Sequence, residues 1–176
     1  MKNFIKKSTL SFLLLTAIST VADAQNITHL REITLQDFDK IQVSLDTEVI
    51  VLKSKRNHVT LVGDSSYIAS LPVLVEDGTL EFTYAYESQN KLSKVLIEYT
   101  DLEHATTGGT GTYYFHNIKE DRLVVFNPYA SVKLTGNTNH IRVVSQQGKT
   151  DVTALTTLEE AMYIGETAEL VAVELD

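Results

Sequence analysis

Short runs along the chain place apolar residues at every second position, with polar residues between them. They are KIQVSL (Lys40 to Leu45), EVIVL (Glu48 to Leu52), HVTLV (His58 to Val62), TLEFTY (Thr79 to Tyr84) and VLIEY (Val95 to Tyr99). A period of two sends alternate side chains to opposite faces of an extended backbone, so each run predicts a strand with one buried face. The valine, isoleucine, threonine and tyrosine that fill them suit a pleated surface. Asp77-Gly78 stands between VLVE and TLEF and predicts a tight hairpin, because both residues tolerate positive φ. Only SSYIASL (Ser65 to Leu71) predicts helix, a turn or two ended by Pro72.

From about Leu102 a second, longer period is laid over the alternation. Thr112, Val132 and Val152 fall in one column, Tyr114, Leu134 and Ala154 in a second on the same face, and Leu123, Val143 and Tyr163 in a third. A further turn is expected around Leu170 to Val173. Two short strands per unit, repeated about every 20 residues, predict stacked coils. The expected fold is all-β, a single-stranded parallel β-helix or β-solenoid, although periodicity alone also fits a β-sandwich. TTGGTG (Thr106 to Gly111) could cradle a phosphate, but no lysine follows and the next residues, Thr112 to Phe115, are strand formers. Phosphate loops run into a helix. The glycines are therefore expected to turn a corner between strands, where the absence of Cβ matters.

The first residues do not share this pattern. Lys2, Lys6 and Lys7 precede an apolar run from Leu10 to about Val21, and Ala22-Asp23-Ala24 fits a small-x-small cleavage site. Residues 1–24 are expected to be a secretory signal peptide and 25–176 one domain. The chain carries 15 basic and 23 acidic residues, a net charge of −8. Without the segment up to Ala24 the balance falls to about −10. Such acidity argues against nucleic acid, whose phosphates need a basic face, and against anionic membranes. There are no cysteines. Thiol catalysis, zinc–thiolate sites and iron–sulfur clusters are excluded, and the core alone must hold an exported fold.

Several blocks, in order, resemble one family. FDKIQVSLDTEVIVLKS (Phe38 to Ser54), HVTLVGD (His58 to Asp64), EDGTLEF (Glu76 to Phe82), KVLIEYTDLEHATTGGTG (Lys94 to Gly111) and SVKLTG (Ser131 to Gly136) look like the head GIN domain family, known as auto-transporter adhesins. The resemblance spans nearly all of 25–176. It implies a β-solenoid and a bacterial exported protein of the Bacteroidetes, with an adhesin role inferred from shape. It supplies no catalytic residues. The corners NPYAS (Asn127 to Ser131) and QQGKTD (Gln146 to Asp151) depart from the family's repeated small residues.

Candidate chemistry is sparse. Arg122 and Arg142, with Asp121 and Asp151, could form the base-and-acid set of a β-helix lyase, or be solvated charges on an outer face. His29, His58, His104, His116 and His140 make no paired metal motif, and no G-x-S-x-G elbow occurs. Glu159-Glu160 reads as a polar loop. Tyr84 and Tyr86 on one strand face, and Tyr113 and Tyr129 near corners, are candidate contacts for sugars or proteins, with edge packing the alternative. No catalytic, cofactor or metal site is expected, and no ligand-binding residue is assigned. The expected function is an exported, non-enzymatic, adhesin-like module for a glycan or surface protein. The alternatives are a polysaccharide-active β-helix enzyme, or an envelope protein self-associating through solenoid ends. The sequence stops at Asp176 inside an expected coil and shows no obvious cap. The expected location is the periplasm or the cell surface.

Overall fold

A computed structural model describes residues 29–83 and 91–165. The expected signal peptide, Tyr84, Tyr86, the turn near Leu170 to Val173 and the end at Asp176 lie outside the described residues. The elements are β1 (His29–Thr34), β2 (Lys40–Ser44), β3 (Glu48–Lys53), β4 (His58–Gly63), α1 (Ser65–Ser70), β5 (Leu74–Glu76), β6 (Thr79–Thr83), β7 (Leu92–Tyr99), β8 (His104–Gly108), β9 (Thr112–Asn127), β10 (Ser131–Ser145) and β11 (Lys149–Ile164). The fold is all-β, as the alternation requires. The one short helix, α1, begins where Asp64 Oδ1 accepts the Tyr67 N–H and buries only Ile68.

All eleven strands belong to one curled sheet, in the order β1-β4-β7-β3-β9-β8-β2-β6-β5, with β10 beside β9 and β11 beside β10. The curl follows from β9 having two sets of neighbours. Its first half pairs with β3, Glu48 opposite Thr112, and its second half with β8, His104 opposite Val124. Apolar residues at alternate positions meet inside: Val49, Val51, Val95, Ile97, Phe115, Leu123, Val125, Leu134, Ile141 and Val143 are all buried. The burial of these columns is the main driving force for the stack.

Two expectations are corrected here. Strand direction is mixed, not uniformly parallel. β2 pairs in parallel with β6 and β8, β3 with β7 and β9, and β8 to β11 are parallel in succession. But β1 with β4, β4 with β7, and β5 with β6 are antiparallel. For β5 and β6 the cause is the two-residue turn Asp77-Gly78, φ 47° and 73°, which can join only antiparallel neighbours. The columns also differ. Val132 stands opposite Tyr113 and Thr150 instead of Thr112 and Val152, and Leu134 opposite Phe115 instead of Tyr114. Val143 meets Tyr163 as expected, but Val125 in place of Leu123. Irregularities between Leu134 and Gly136, and on the other side between Lys133 and Thr135 and between Thr138 and His140, take up the slack. Each such bulge shifts the register by a residue.

The glycine segment is a corner. Gly109 has φ +72°, and a Cβ there would stand 2.5 Å from the Leu45 carbonyl oxygen. The backbone comes that close because the Leu45 and Thr47 carbonyls accept the Gly111 and Thr112 N–H groups.

Candidate functional site

The corners are built from buried polar groups and do not form a site. Tyr113 is buried, so of its two readings packing holds and the exposed contact does not. Its place in the alternation, with Phe115 inward and Thr112 and Tyr114 outward, turns the ring into the core. There its hydroxyl accepts the Leu45 N–H and reaches the Val43 and Gly108 carbonyls. Burial pushes the phenol's pKa up. Asn127 does the same work at the next corner. It is fully buried, accepts from Thr107 Oγ1 at 3.2 Å, and donates to the Ala130 carbonyl and Thr150 Oγ1, each at 3.0 Å. Tyr129 remains exposed beside it.

The outward surface of the second halves of β9, β10 and β11 is different. The register aligns three rows across these strands: Arg122, His140 and Glu160; Val124, Arg142 and Met162; Phe126, Val144 and Ile164. The second and third rows run on to His104 and Thr106 of β8, then to Lys40 and Gln42 of β2. Met162 is 44% and Ile164 45% exposed, and Val124, Phe126 and Val144 are half-buried. Arg122, Val124, His140, Arg142, Glu160 and Met162 line an open groove of about 300 Å³. Among the described residues, neither guanidinium has a hydrogen-bond or ion-pair partner.

The two arginines therefore share a face, but they do not stack in one column. His140 stands opposite Arg122, and Arg142 opposite Val124, two residues further on. The aspartates expected beside them are elsewhere engaged. Asp121 accepts from Asn139 Nδ2 at 2.8 Å. Asp151, in the first half of β11, pairs with Lys133 and accepts from the Thr153 N–H and hydroxyl, bonds that hold its pKa below the ordinary carboxylate value. Glu159 and Glu160 are not a loop but belong to β11, where pairing with β10 brings them to His140: Nε2 lies 3.2 Å from Glu159 and Nδ1 3.9 Å from Glu160.

The remaining histidines are dispersed. His29 and His104 are exposed, His58 is buried beside the Arg56–Glu98 pair, and His116 stacks on Tyr114 at 6.0 Å with Nδ1 3.3 Å from Thr135 Oγ1. No group of three or more metal-ligating side chains converges among the described residues. A second polar cluster sits inside the coil, where Lys53 Nζ lies 2.7 Å from Glu120 and 5.6 Å from the centre of the Tyr99 ring. No described helix is long and apolar enough to cross a membrane.

Sequence reading singled out the two arginines but missed the apolar rows beside them. The signal was present in LVVF (Leu123 to Phe126) and VV (Val143-Val144), where alternation breaks and both strand faces become apolar. An outward face of that kind needs something other than water to cover it.

Comparison with known proteins places this geometry among relatives. Residues 37–143 match the family model described as "Putative auto-transporter adhesin, head GIN domain". No curated protein matches the chain. Among solved structures, a "putative adhesin" from Parabacteroides merdae is similar, at 15% identity and a TM-score of 0.55, over 70% of this chain and 58% of that one. Another "putative adhesin", from Parabacteroides distasonis, is 16% identical with a TM-score of 0.60, over 72% and 56%. A "putative lipid binding protein" from the same organism is 13% identical with a TM-score of 0.51, over 81% and 96%. The aligned region thus spans little more than half the length of the first two. At such identities the likeness shows the fold alone, and the names these structures carry differ.

Proposed function

We infer function from one premise: the chain belongs to the head GIN domain family, whose model matches residues 37–143. The protein is an exported, non-enzymatic binding module of adhesin type, with residues 1–24 as a cleaved signal and the outward surface of the second halves of β9 to β11 as its binding face. We read the parallel region of the sheet as β-solenoid coils, each contributing one strand to either side. Stacking of this kind makes a long, flat and rigid surface. The observation that carries the reading is the row Phe126, Val144 and Ile164 beside two arginines without a partner among the described residues, an apolar strip with charged neighbours. Such a combination marks interaction surfaces. The relatives' description as adhesins agrees with it.

A panel of immobilised polysaccharides, mucin and matrix proteins tests the reading. At least one should retain the wild-type protein, and Val144→Asp should abolish retention while Lys133→Ala, on the other side of the coil, should not. No retention by any member would overturn it. Protease treatment of intact native cells tests the location. Digestion supports display outside the cell, and full protection behind a sealed envelope would remove adhesion as the role.

A further inference from the structure

We propose that the groove between Arg122 and Arg142 binds the carboxylates of a polyuronate, an acidic glycan; this rests on the reading of that face as the binding face. The chain is acidic overall, yet within the groove two arginines and His140 stand against one glutamate, Glu160, while the rows continue to His104 and Lys40 and reach Glu81 only opposite Gln42 at the far side. Glu160 also lines the groove, but its partner is His140 and not an arginine. A guanidinium without a partner among the described residues is a ready hydrogen-bond donor to an anion. Its planar fork fits a carboxylate through two parallel hydrogen bonds.

Spacing favours a repeating ligand. Arg142 lies one strand over and two residues along from Arg122, which strand geometry makes about 8 Å. Both guanidiniums can therefore engage separate carboxylates of one extended chain. The floor favours a sugar. Val124 and Met162 lie within the groove, with Phe126, Val144 and Ile164 beside it. They offer apolar contact to the C–H faces of pyranose rings while the arginines take the charge.

An acidic peptide fits less well. Extended peptides bind sheets mainly by adding a strand to an open edge, where main-chain groups are free. Here β10 is paired on both sides and the second half of β9 lies between β8 and β10; among the described residues β11 pairs with β10 alone, but Arg122 and Arg142 stand on β9 and β10, inside that edge. The face offers side chains only, which is how a glycan is read.

Titration of oligogalacturonate and its methyl ester into the full chain tests the proposal. The free acid should bind, and the ester, which keeps the rings and loses the charges, should bind at least about tenfold more weakly. Arg122→Ala and Arg142→Ala should each weaken the acid by about tenfold or more, as expected when a charge-assisted bond is lost. Arg→Lys at either position should recover some of that, and urea midpoints should not move, because both side chains are exposed. Equal binding of acid and ester, no effect of the arginine variants, or no binding of the acid would each overturn the proposal. So would poly-glutamate binding as tightly with the same arginine dependence, which would assign the groove to acidic peptides. Retention of a neutral glycan or a protein, lost in Val144→Asp, would leave the binding face standing while the polyuronate falls. Loss of all retention would remove both.

Discussion

The Tyr113 hydroxyl lies 2.8 Å from the Gly108 carbonyl oxygen, so a side chain in the core holds the glycine corner that precedes it. The same hydroxyl accepts the Leu45 N–H at 3.0 Å, tying two neighbouring coils at one point. Tyr113→Phe keeps the ring and removes this tie, leaving the Leu45 N–H only its 3.2 Å bond to Gly108. The expected cost is about 1–2 kcal/mol. Urea denaturation should show a lower midpoint with an unchanged slope. A midpoint equal to that of the wild type would mean that the corner does not depend on the hydroxyl.

Asn127 makes the corresponding tie at the next corner, and its chemistry predicts a pH-dependent variant. The amide nitrogen faces the Ala130 and Lys149 carbonyls, so that position needs a donor. Asn127→Ala leaves those carbonyls underbonded and should cost about 2–3 kcal/mol. Asn127→Asp can supply a donor only while protonated. It should be tolerated best in acid and lose stability as pH rises through the carboxylate range. Equal stability of this variant at pH values on either side of that range would contradict the assignment.

At Gly109 a methyl group would meet the Leu45 carbonyl oxygen at 2.5 Å, on a backbone with φ +72°. Gly109→Ala therefore combines an unfavourable conformation with a steric clash, and should cost about 2 kcal/mol or more. Thermal unfolding would show it as a fall in Tm. An unchanged Tm would mean that the coil relaxes there without penalty.

Much of this was legible in the residues. The strands, the Asp77-Gly78 hairpin, the short helix before Pro72 and the TTGGTG corner each follow from local chemistry. Strand direction does not, because a period of two is the same for parallel and antiparallel neighbours. The mixed sheet near β1, β4 and β5 could not be read for that reason. The columns were displaced because bulges near Leu134 and Thr138 change the repeat by single residues, and nothing in SVKLTGNTNH marks them. Tyr113, a strand former beside a corner, reads equally as a contact or as packing, yet its alternation with Phe115 already turns it inward. Arg122 and Arg142 could be placed on one surface by their spacing. Their lack of partners among the described residues, and the apolar row beside them, appear only when three strands are aligned.

Two glutamates, Glu98 near the end of β7 and Glu120 in β9, should give stability opposite pH dependences. Glu98 Oε2 accepts from Arg56 Nη2 at 2.6 Å and Nε at 3.0 Å, and Oε1 accepts from Ser54 at 3.0 Å. The Arg56 bonds hold its pKa below the ordinary carboxylate value. Its contribution is therefore complete above the unfolded chain's carboxylate range, and is lost as pH falls toward the depressed native value. Glu120 is the reverse: burial raises its pKa, outweighing Lys53 at 2.7 Å. Below the ordinary range both folded and unfolded states hold the proton. As pH rises through that range the unfolded chain releases it while the native side chain retains it, so stability falls up to the raised native value. Compared with wild type, Glu98→Gln should be weaker at neutral pH, with the gap closing in acid. For Glu120→Gln the comparison should shift in the variant's favour as pH rises. Urea midpoints measured from acid to neutral pH decide the matter, and parallel profiles for the two variants would show that neither carboxyl titrates as its surroundings require.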